Sequence, residues 1–334
     1  MKNRLGPLAL RWAFLCICLI GVSFAGSRSS AAPYAALVMD ARTGEVLHAR
    51  NADTRLHPAS LTKMMTLYVA FQAIQRGEIT LDTEVTVTSN AASEPPSKLG
   101  LRTGQKIKMR YLLRAAAVKS ANDAATAIGE AISGSEDAFA TRMNRTAAAM
   151  GMTNTTFKNA NGLTQSGHLS TARDMSILGR HVIYDYPQYY NLFSRRTADA
   201  GVATVRHTNR RWLDSYEGGD GIKTGYTNAA GFNLVASAQR GQERIIATVF
   251  GGTSTAARNK QITELMDMGF NRAPSSATID RPDLVATAEP QQETVNGNSR
   301  PATNGGAGKT IRVSGSVSRS PRPQTRPAPS PELQ

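Results

Sequence analysis

Ala36-Leu37-Val38-Met39-Asp40, Ala41-Arg42-Thr43-Gly44, Glu45-Val46-Leu47-His48-Ala49: two short apolar runs flank a connection that carries glycine where a positive φ is wanted, the signal of a β-hairpin. The far end of the chain holds its counterpart. Phe232 to Ala238 and Arg244 to Phe250 read as two strands joined at Arg240-Gly241-Gln242, followed by a helix over roughly 255–268. Between the two hairpins the period changes. A helix starts near Ser60, just past Pro58, and carries Met64, Leu67, Tyr68, Phe71 and Ile74 at helical spacing until Gly77 stops it. Glu84 to Thr88 alternates like a strand, and alanine-rich helical stretches follow near 109–118, 122–132 and 136–150. Ser170 to Ile183 opens with Ser and Thr and has Asp174 in its first turn, as a capped helix does. The order hairpin, helical middle, hairpin, helix predicts an α+β fold. An antiparallel sheet built from both chain ends is flanked by helices and carries a helical subdomain.

Two flanking segments differ from this unit of 32–271. In residues 1–31, Lys2, Arg4 and Arg11 precede the apolar stretch Trp12 to Phe24, and Ser23-Phe24-Ala25 places small residues where a signal peptidase reads; Ser29-Ser30-Ala31 is a second such place. This is the layout of a cleaved signal peptide, and the apolar stretch is short of the ~20 residues that span a bilayer. Cys16 and Cys18, the only cysteines, both lie there, so the mature chain has no disulfide. Residues 272–334 hold nine of the 15 prolines with Ser, Thr, Asn and Gly and almost no aromatics. Such a segment buries too little apolar surface to offset ordering and reads as a disordered, basic tail. It has no amphipathic period, so the residues leave membrane contact open.

The net charge of +14 invites a nucleic-acid reading. The charge is spread along the chain, without a run of like charges in the folded unit and without interleaved basic and aromatic residues. The expectation is therefore no nucleic acid, and the basic balance suits an anionic cell envelope. The five histidines, 48, 57, 168, 181 and 207, form no ligand-like cluster in sequence.

Three short motifs carry the chemistry. Ser60-Leu61-Thr62-Lys63 stands at a helix start, where residues three apart share a face, so Lys63 can lie beside the Ser60 hydroxyl. Serine attacks only when a base takes its proton, and a lysine serves when burial lowers its pKa. Alone, the pair also reads as an N-cap serine and a solvated lysine. Ser120-Ala121-Asn122 breaks two apolar helical stretches; it places a hydroxyl and an amide over a cleft, or simply caps the next helix. Lys223-Thr224-Gly225 offers an ammonium and a hydroxyl to an anion from an edge strand, with Gly225 letting a substrate backbone lie close, or forms a turn between strands.

In this order and setting, the three resemble the motif set of penicillin-binding enzymes and serine β-lactamases. The stretches His57 to Thr66, Ser120 to Ala125, Asn161-Gly162-Leu163, Ser170 to Met175, Asp220 to Gly225 and Ala230 to Ala238 extend the likeness over roughly 34–271. Across that span the chain resembles the low-molecular-mass serine D-alanyl-D-alanine carboxypeptidases of the β-lactamase/transpeptidase-like superfamily.

The resemblance implies removal of the terminal D-alanine from peptidoglycan stem pentapeptides through an acyl-enzyme, with β-lactams as covalent inhibitors. It makes Ser60 the nucleophile, Lys63 its base and Ser120 the proton shuttle to the leaving amine. Asn122 would hold the substrate amide, and Lys223, Thr224 and Gly225 would receive its carboxylate end. The amides of Ser60 and Tyr226 would form the oxyanion hole, and Arg258 would be a second cation for the carboxylate. No metal or cofactor is implied, and the location is the periplasm or cell envelope. Many members continue into a small β domain and a membrane-resting helix, which 272–334 does not resemble.

A D,D-endopeptidase with the same machinery is an alternative. A β-lactamase is a weaker one, because no Glu-x-x-Leu-Asn pattern lies between 123 and 222. A silent wall-binding protein would have no need of the Ser60–Lys63 pair.

Overall fold

The computed structural model describes residues 33–283. The expected signal peptide and most of the expected tail lie outside the described residues. In chain order, β1 (Ala35–Asp40) and β2 (Val46–Arg50) form the first hairpin. A 3-10 turn over Ala59–Thr62 leads into α1 (Lys63–Gln75). The helical middle comprises α2 (Ser89–Ser93), α3 (Met109–Arg114), α4 (Asn122–Ser133), α5 (Glu136–Ala149), α6 (Ala172–Asp185), α7 (Pro187–Tyr190) and α8 (Arg210–Ser215). Two ribbons lie within it, β3 (Glu84–Thr86) with β4 (Lys106–Lys108), and β5 (Thr197–Asp199) with β6 (Thr204–Arg206). The chain then forms β7 (Gly219–Thr227), β8 (Gly231–Arg240), β9 (Glu243–Gly252) and α9 (Thr255–Arg272).

The main sheet has the order β2-β1-β9-β8-β7, with every neighbouring pair antiparallel, so both chain ends build it as expected. Strand alternation sends Ala36, Val38, Leu234 and Ala236 to one face, where they pack with Ile262, Leu265 and Met266 of α9. Leu37, Met39, Val235 and Ile246 face the opposite side, which α1 and α6 cover. Because both faces are buried, the strands read as continuous apolar runs rather than alternating ones. Helix α1 is buried from Lys63 to Ala73 and runs through the core, between the sheet and the helical subdomain. A helix surrounded on all sides needs no polar face, which is why a lysine inside it is conspicuous.

The structure extends or departs from the sequence reading at four places. Lys223-Thr224-Gly225 stands on an edge strand, as one of its two readings had it, and not in a turn. The strand as a whole, β7, is longer than the sequence indicates, because Gly219, Gly221 and Gly225 interrupt its pattern, and it pairs with β8 from Gly219 to Thr227. The helix expected over 109–118 widens to π geometry over Ala115–Lys119 and ends at Ser120, whose φ of 63° is left-handed. The last helix extends to Arg272, with Phe270 packed against the outer sheet cluster. Beyond it the chain stays docked on the first hairpin. Arg42 Nη2 donates to the Pro274 carbonyl at 2.6 Å, the Asp280 amide donates to the Arg42 carbonyl at 2.9 Å, and Arg180 donates to the Asp280 carbonyl. The first part of the segment expected to be disordered from 272 is thus held by a buried arginine, itself paired with Asp40 at 2.8 Å. Those carbonyl and amide contacts leave no trace in composition.

Candidate active site

The turn bearing Ser60 is clamped from three sides. Ala59 takes a φ of 49°, unusual for a residue with a Cβ, and the Leu61 amide donates to the Pro58 carbonyl at 3.2 Å. From β8, Asn233 Nδ2 donates to the His57 carbonyl at 3.0 Å, while its Oδ1 accepts from the Gly251 amide at 3.0 Å. Behind the turn, Gly162 has a φ of 87°, and a Cβ there would lie 1.9 Å from the Ala59 carbonyl oxygen, so no other residue fits. In front, β7 passes so close that a Cβ on Gly225 would lie 2.9 Å from the Pro58 carbonyl oxygen and 3.1 Å from the Ser60 amide nitrogen.

Lys63 is completely buried beneath Ser60. Its Nζ is 3.0 Å from Ser60 Oγ, 2.7 Å from Asn122 Oδ1 and 2.6 Å from the Asn161 carbonyl oxygen. Burial pushes its pKa down to about 7, against the pull of the nearby carboxylates Glu94 and Asp123. The solvated-lysine reading is excluded.

Asn122 opens α4 without capping it by its side chain. Its amide nitrogen donates to the Pro95 carbonyl at 2.8 Å, which turns Oδ1 toward Lys63. Asp123 accepts from the amides of Leu99, Gly100 and Leu101 at 2.8–3.0 Å and so fixes the loop that forms the far wall of the cleft. Ser120 hangs from the end of the π turn and accepts from Lys223 Nζ at 2.8 Å; the same ammonium donates to the Thr224 carbonyl at 2.8 Å. Lys223 is also completely buried, and burial, with Lys63 and Arg258 nearby, holds its pKa well below the ordinary lysine value.

These side chains meet at an open cleft of about 350 Å³. Ser60, Ser120, Asn122, Thr224, Gly225, Tyr226 and Arg258 line it, and the two lysines lie under its floor. All nine residues singled out in the sequence are therefore brought together. At one end the Thr224 and Thr208 hydroxyls are 2.8 Å apart beside Arg258. Arg258 is 4% exposed, and among the described residues its Nε and Nη2 find only Asn259 Oδ1, at 3.2 and 2.7 Å. Burial lowers its pKa to about 10, a guanidinium that lacks an anion. At the other end the exposed Tyr226 ring packs on Phe232 at 4.3 Å, opposite Leu163.

The family described as D-alanyl-D-alanine carboxypeptidase matches residues 23–254. The chain belongs to that family. Among curated relatives it is 38% identical over 256 residues to the carboxypeptidase DacF of Bacillus subtilis and 38% identical over 242 residues to DacA of Escherichia coli. These alignments take in 75% and 70% of this chain but 65% and 60% of those relatives, so the chain spans somewhat under two thirds of their length. Among solved structures it superposes on penicillin binding protein 5 from Haemophilus influenzae with a TM-score of 0.68 and 36% identity, over 71% of this chain and 70% of that one. The ampicillin-bound penicillin-binding protein D2 from Listeria monocytogenes gives 0.62 and 32%, over 71% of this chain and 96% of that one. The antiparallel, helix-flanked fold of this carboxypeptidase family member is the one shared with these penicillin-binding proteins.

The motif reading gave no role to three contributors. Thr208 enters the cleft from the loop after β6, with no motif around it. Asn161 serves Lys63 through its backbone carbonyl, which residue type does not report. Glu94 accepts from Asn161 Nδ2 at 2.8 Å and Thr126 Oγ1 at 2.8 Å, holding the Asn161 loop in place, and its own pKa is raised by burial. Among the described residues, no group of three metal-ligating side chains occurs.

Proposed function

We propose that this chain is an exported serine D-alanyl-D-alanine carboxypeptidase, acting in the periplasm or cell envelope on peptidoglycan stem pentapeptides and acylated by β-lactams. One observation carries the reading. Two of the three hydrogen-bond partners of Lys63, Asn122 Oδ1 and the Asn161 carbonyl, can only accept. A neutral amine gives its two protons to them, and its lone pair is left facing Ser60 Oγ at 3.0 Å. The hydroxyl then donates to the amine, which is the direction a general base requires.

From that arrangement the steps follow. A stem peptide lies along the open edge of β7, its carbonyl near the amides of Ser60 and Tyr226, which stabilise the developing oxyanion. Ser60 Oγ bonds to the carbonyl carbon of the penultimate residue as Lys63 takes the hydroxyl proton. Collapse of the tetrahedral species breaks the C–N bond. Ser120, hydrogen-bonded to Lys223, passes a proton to the departing D-alanine amine and is resupplied by the one Lys63 took, which leaves Lys63 neutral again. Asn122 holds the substrate amide. Water then adds to the ester as Lys63 takes its proton, and the collapse that releases the peptide carboxylate returns that proton from Lys63 to Ser60 Oγ.

The exopeptidase preference rests on the cleft end formed by Thr224 and Arg258, with Lys223 beneath the floor. A free carboxylate there supplies the anion that the buried guanidinium lacks. A cross-link made through an amine whose carbon carries no carboxylate presents no such anion next to the scissile bond, and for such substrates the site favours carboxypeptidase over D,D-endopeptidase action. Incubation with a stem pentapeptide and with a cross-linked dimer, followed by mass identification of products, tests this. Release of one D-alanine from the pentapeptide is expected, with little cutting of the dimer. Cutting of the dimer alone would replace the reading with an endopeptidase.

A further inference from the structure

We infer that Thr208 is a positioning residue that backs the Thr224 hydroxyl with a hydrogen bond when Thr224 donates to a ligand, and thereby favours a carboxylate terminus in the cleft. The inference rests on the proposed carboxypeptidase reading and adds to it a residue and a source of specificity.

Thr208 lies between two of the catalytic segments. Its backbone N–H donates to the Val118 carbonyl at 3.1 Å, on the π turn that carries Ser120, and its hydroxyl lies 2.8 Å from Thr224 Oγ1 on β7. Its neighbours are anchored inward: His207 and Asn209 are buried, His207 donates its backbone N–H to the Arg196 carbonyl at 3.0 Å, and His207 Nδ1 accepts from the Asn209 amide at 2.9 Å. Thr208 alone of the three projects into the cleft. The hydroxyl is thus carried on a backbone that has little freedom to move.

A hydroxyl has one proton and can accept as well as donate. Thr224 taken singly would present either its proton or its lone pairs to a ligand and would not distinguish a carboxylate from an amide. Either hydroxyl of the pair can be the donor. A ligand that only accepts selects the sense in which Thr208 donates to Thr224 Oγ1 and the Thr224 proton points outward, giving a chain, Thr208 O–H to Thr224 O–H to ligand. Successive hydrogen bonds of one sense reinforce each other. A terminal carboxylate, which only accepts, matches this chain and the Arg258 cation beside it. A terminal carboxamide can match it only through its single oxygen.

The test compares the wild type with Thr208→Val and Thr208→Ser on a D-Ala-D-Ala peptide ending in the free acid and on the same peptide ending in the amide. Valine keeps the shape and removes the hydroxyl. Losing one hydrogen bond should raise KM for the acid roughly 3–10-fold, leave kcat within about twofold and raise KM for the amide clearly less, and serine should restore the acid KM. Equal changes for acid and amide, or no change for either, would overturn the inference while leaving the carboxypeptidase reading intact. Absence of acid-peptide cleavage by the wild type would overturn that reading and the inference with it. Thermal melting of each variant separates a folding defect, which serine would not selectively repair for the acid, from a loss of positioning.

Discussion

Lys63 Nζ lies 3.0 Å from Ser60 Oγ, with its remaining hydrogen-bonding directions held by Asn122 Oδ1 and the Asn161 carbonyl. The pair joins the nucleophile to a lysine that is completely buried and whose pKa burial has pushed down to about 7. Chemistry at Ser60 is thereby tied to the protonation of one amine.

Acylation should therefore depend on pH in a defined direction. Lys63 acts only when neutral, so the second-order rate of acylation should rise with pH, bend near pH 7 and level off above it. Well below the bend the rate should fall about tenfold per pH unit. Stopped-flow measurements with a chromogenic β-lactam read this directly. Lys63→Arg should lower the rate by at least ~100-fold across the range, because a guanidinium keeps its proton. A flat profile between pH 5 and 9 in the wild type would exclude Lys63 as the base.

Gly225→Ala should damage activity more than stability. The added Cβ would press on the Pro58 carbonyl oxygen at 2.9 Å and the Ser60 amide nitrogen at 3.1 Å, moving β7 away from the nucleophile turn. Misplacement of this kind costs ~100-fold in rate, whereas relief by a backbone shift costs the fold about 1–3 kcal/mol. Matched kinetics and thermal melts check the split. Near-normal acylation would mean that the close approach of β7 is not needed.

The carboxylate end makes its own prediction. Thr224→Val should cost about 1.5–3 kcal/mol of transition-state stabilisation, the range of a hydrogen bond to a charged group. Arg258→Ala should weaken cleavage of an acid-terminated peptide far more than that of its amide, because Arg258 is a buried cation without a carboxylate partner among the described residues. Equal losses on the two peptides would leave Lys223 as the only cation for the substrate.

Removal of the chain from residue 274 onward should cost stability, and removal from 284 onward should not. The first truncation strips the buried Arg42 of its Pro274 acceptor and Arg180 of Asp280. A loss of about 1–3 kcal/mol is expected, from the hydrogen bonds to Pro274 and Asp280 that are removed while Arg42 keeps its pairing with Asp40. Chemical denaturation of the two truncated forms measures it, and equal midpoints would show that the docked segment contributes nothing.

The antiparallel sheet and its construction from both chain ends were legible because buried strands and helices differ in period, and both hairpins announce themselves through glycine at their turns. The nucleophile and its base were legible because helical spacing alone places positions 60 and 63 together. β7 was harder to read, since the glycines that admit a substrate backbone also remove the apolar pattern of a strand. Thr208 and the Asn161 carbonyl were invisible for a different reason. Their roles come from where the backbone carries them, across 16 residues to Thr224 in one case and 98 residues to Lys63 in the other. The docking of Pro274 and Asp280 on the first hairpin belongs to the same class, a long-range contact made by main-chain atoms.

The central claim, covalent catalysis at Ser60, is tested most directly by mapping the site of a β-lactam adduct. The protein is incubated with a penicillin, digested, and its peptides are weighed and fragmented. A single penicilloyl group on Ser60, slow to hydrolyse and absent from Ser60→Ala, is the predicted result. An adduct on another residue, or labelling that persists in Ser60→Ala, would contradict it.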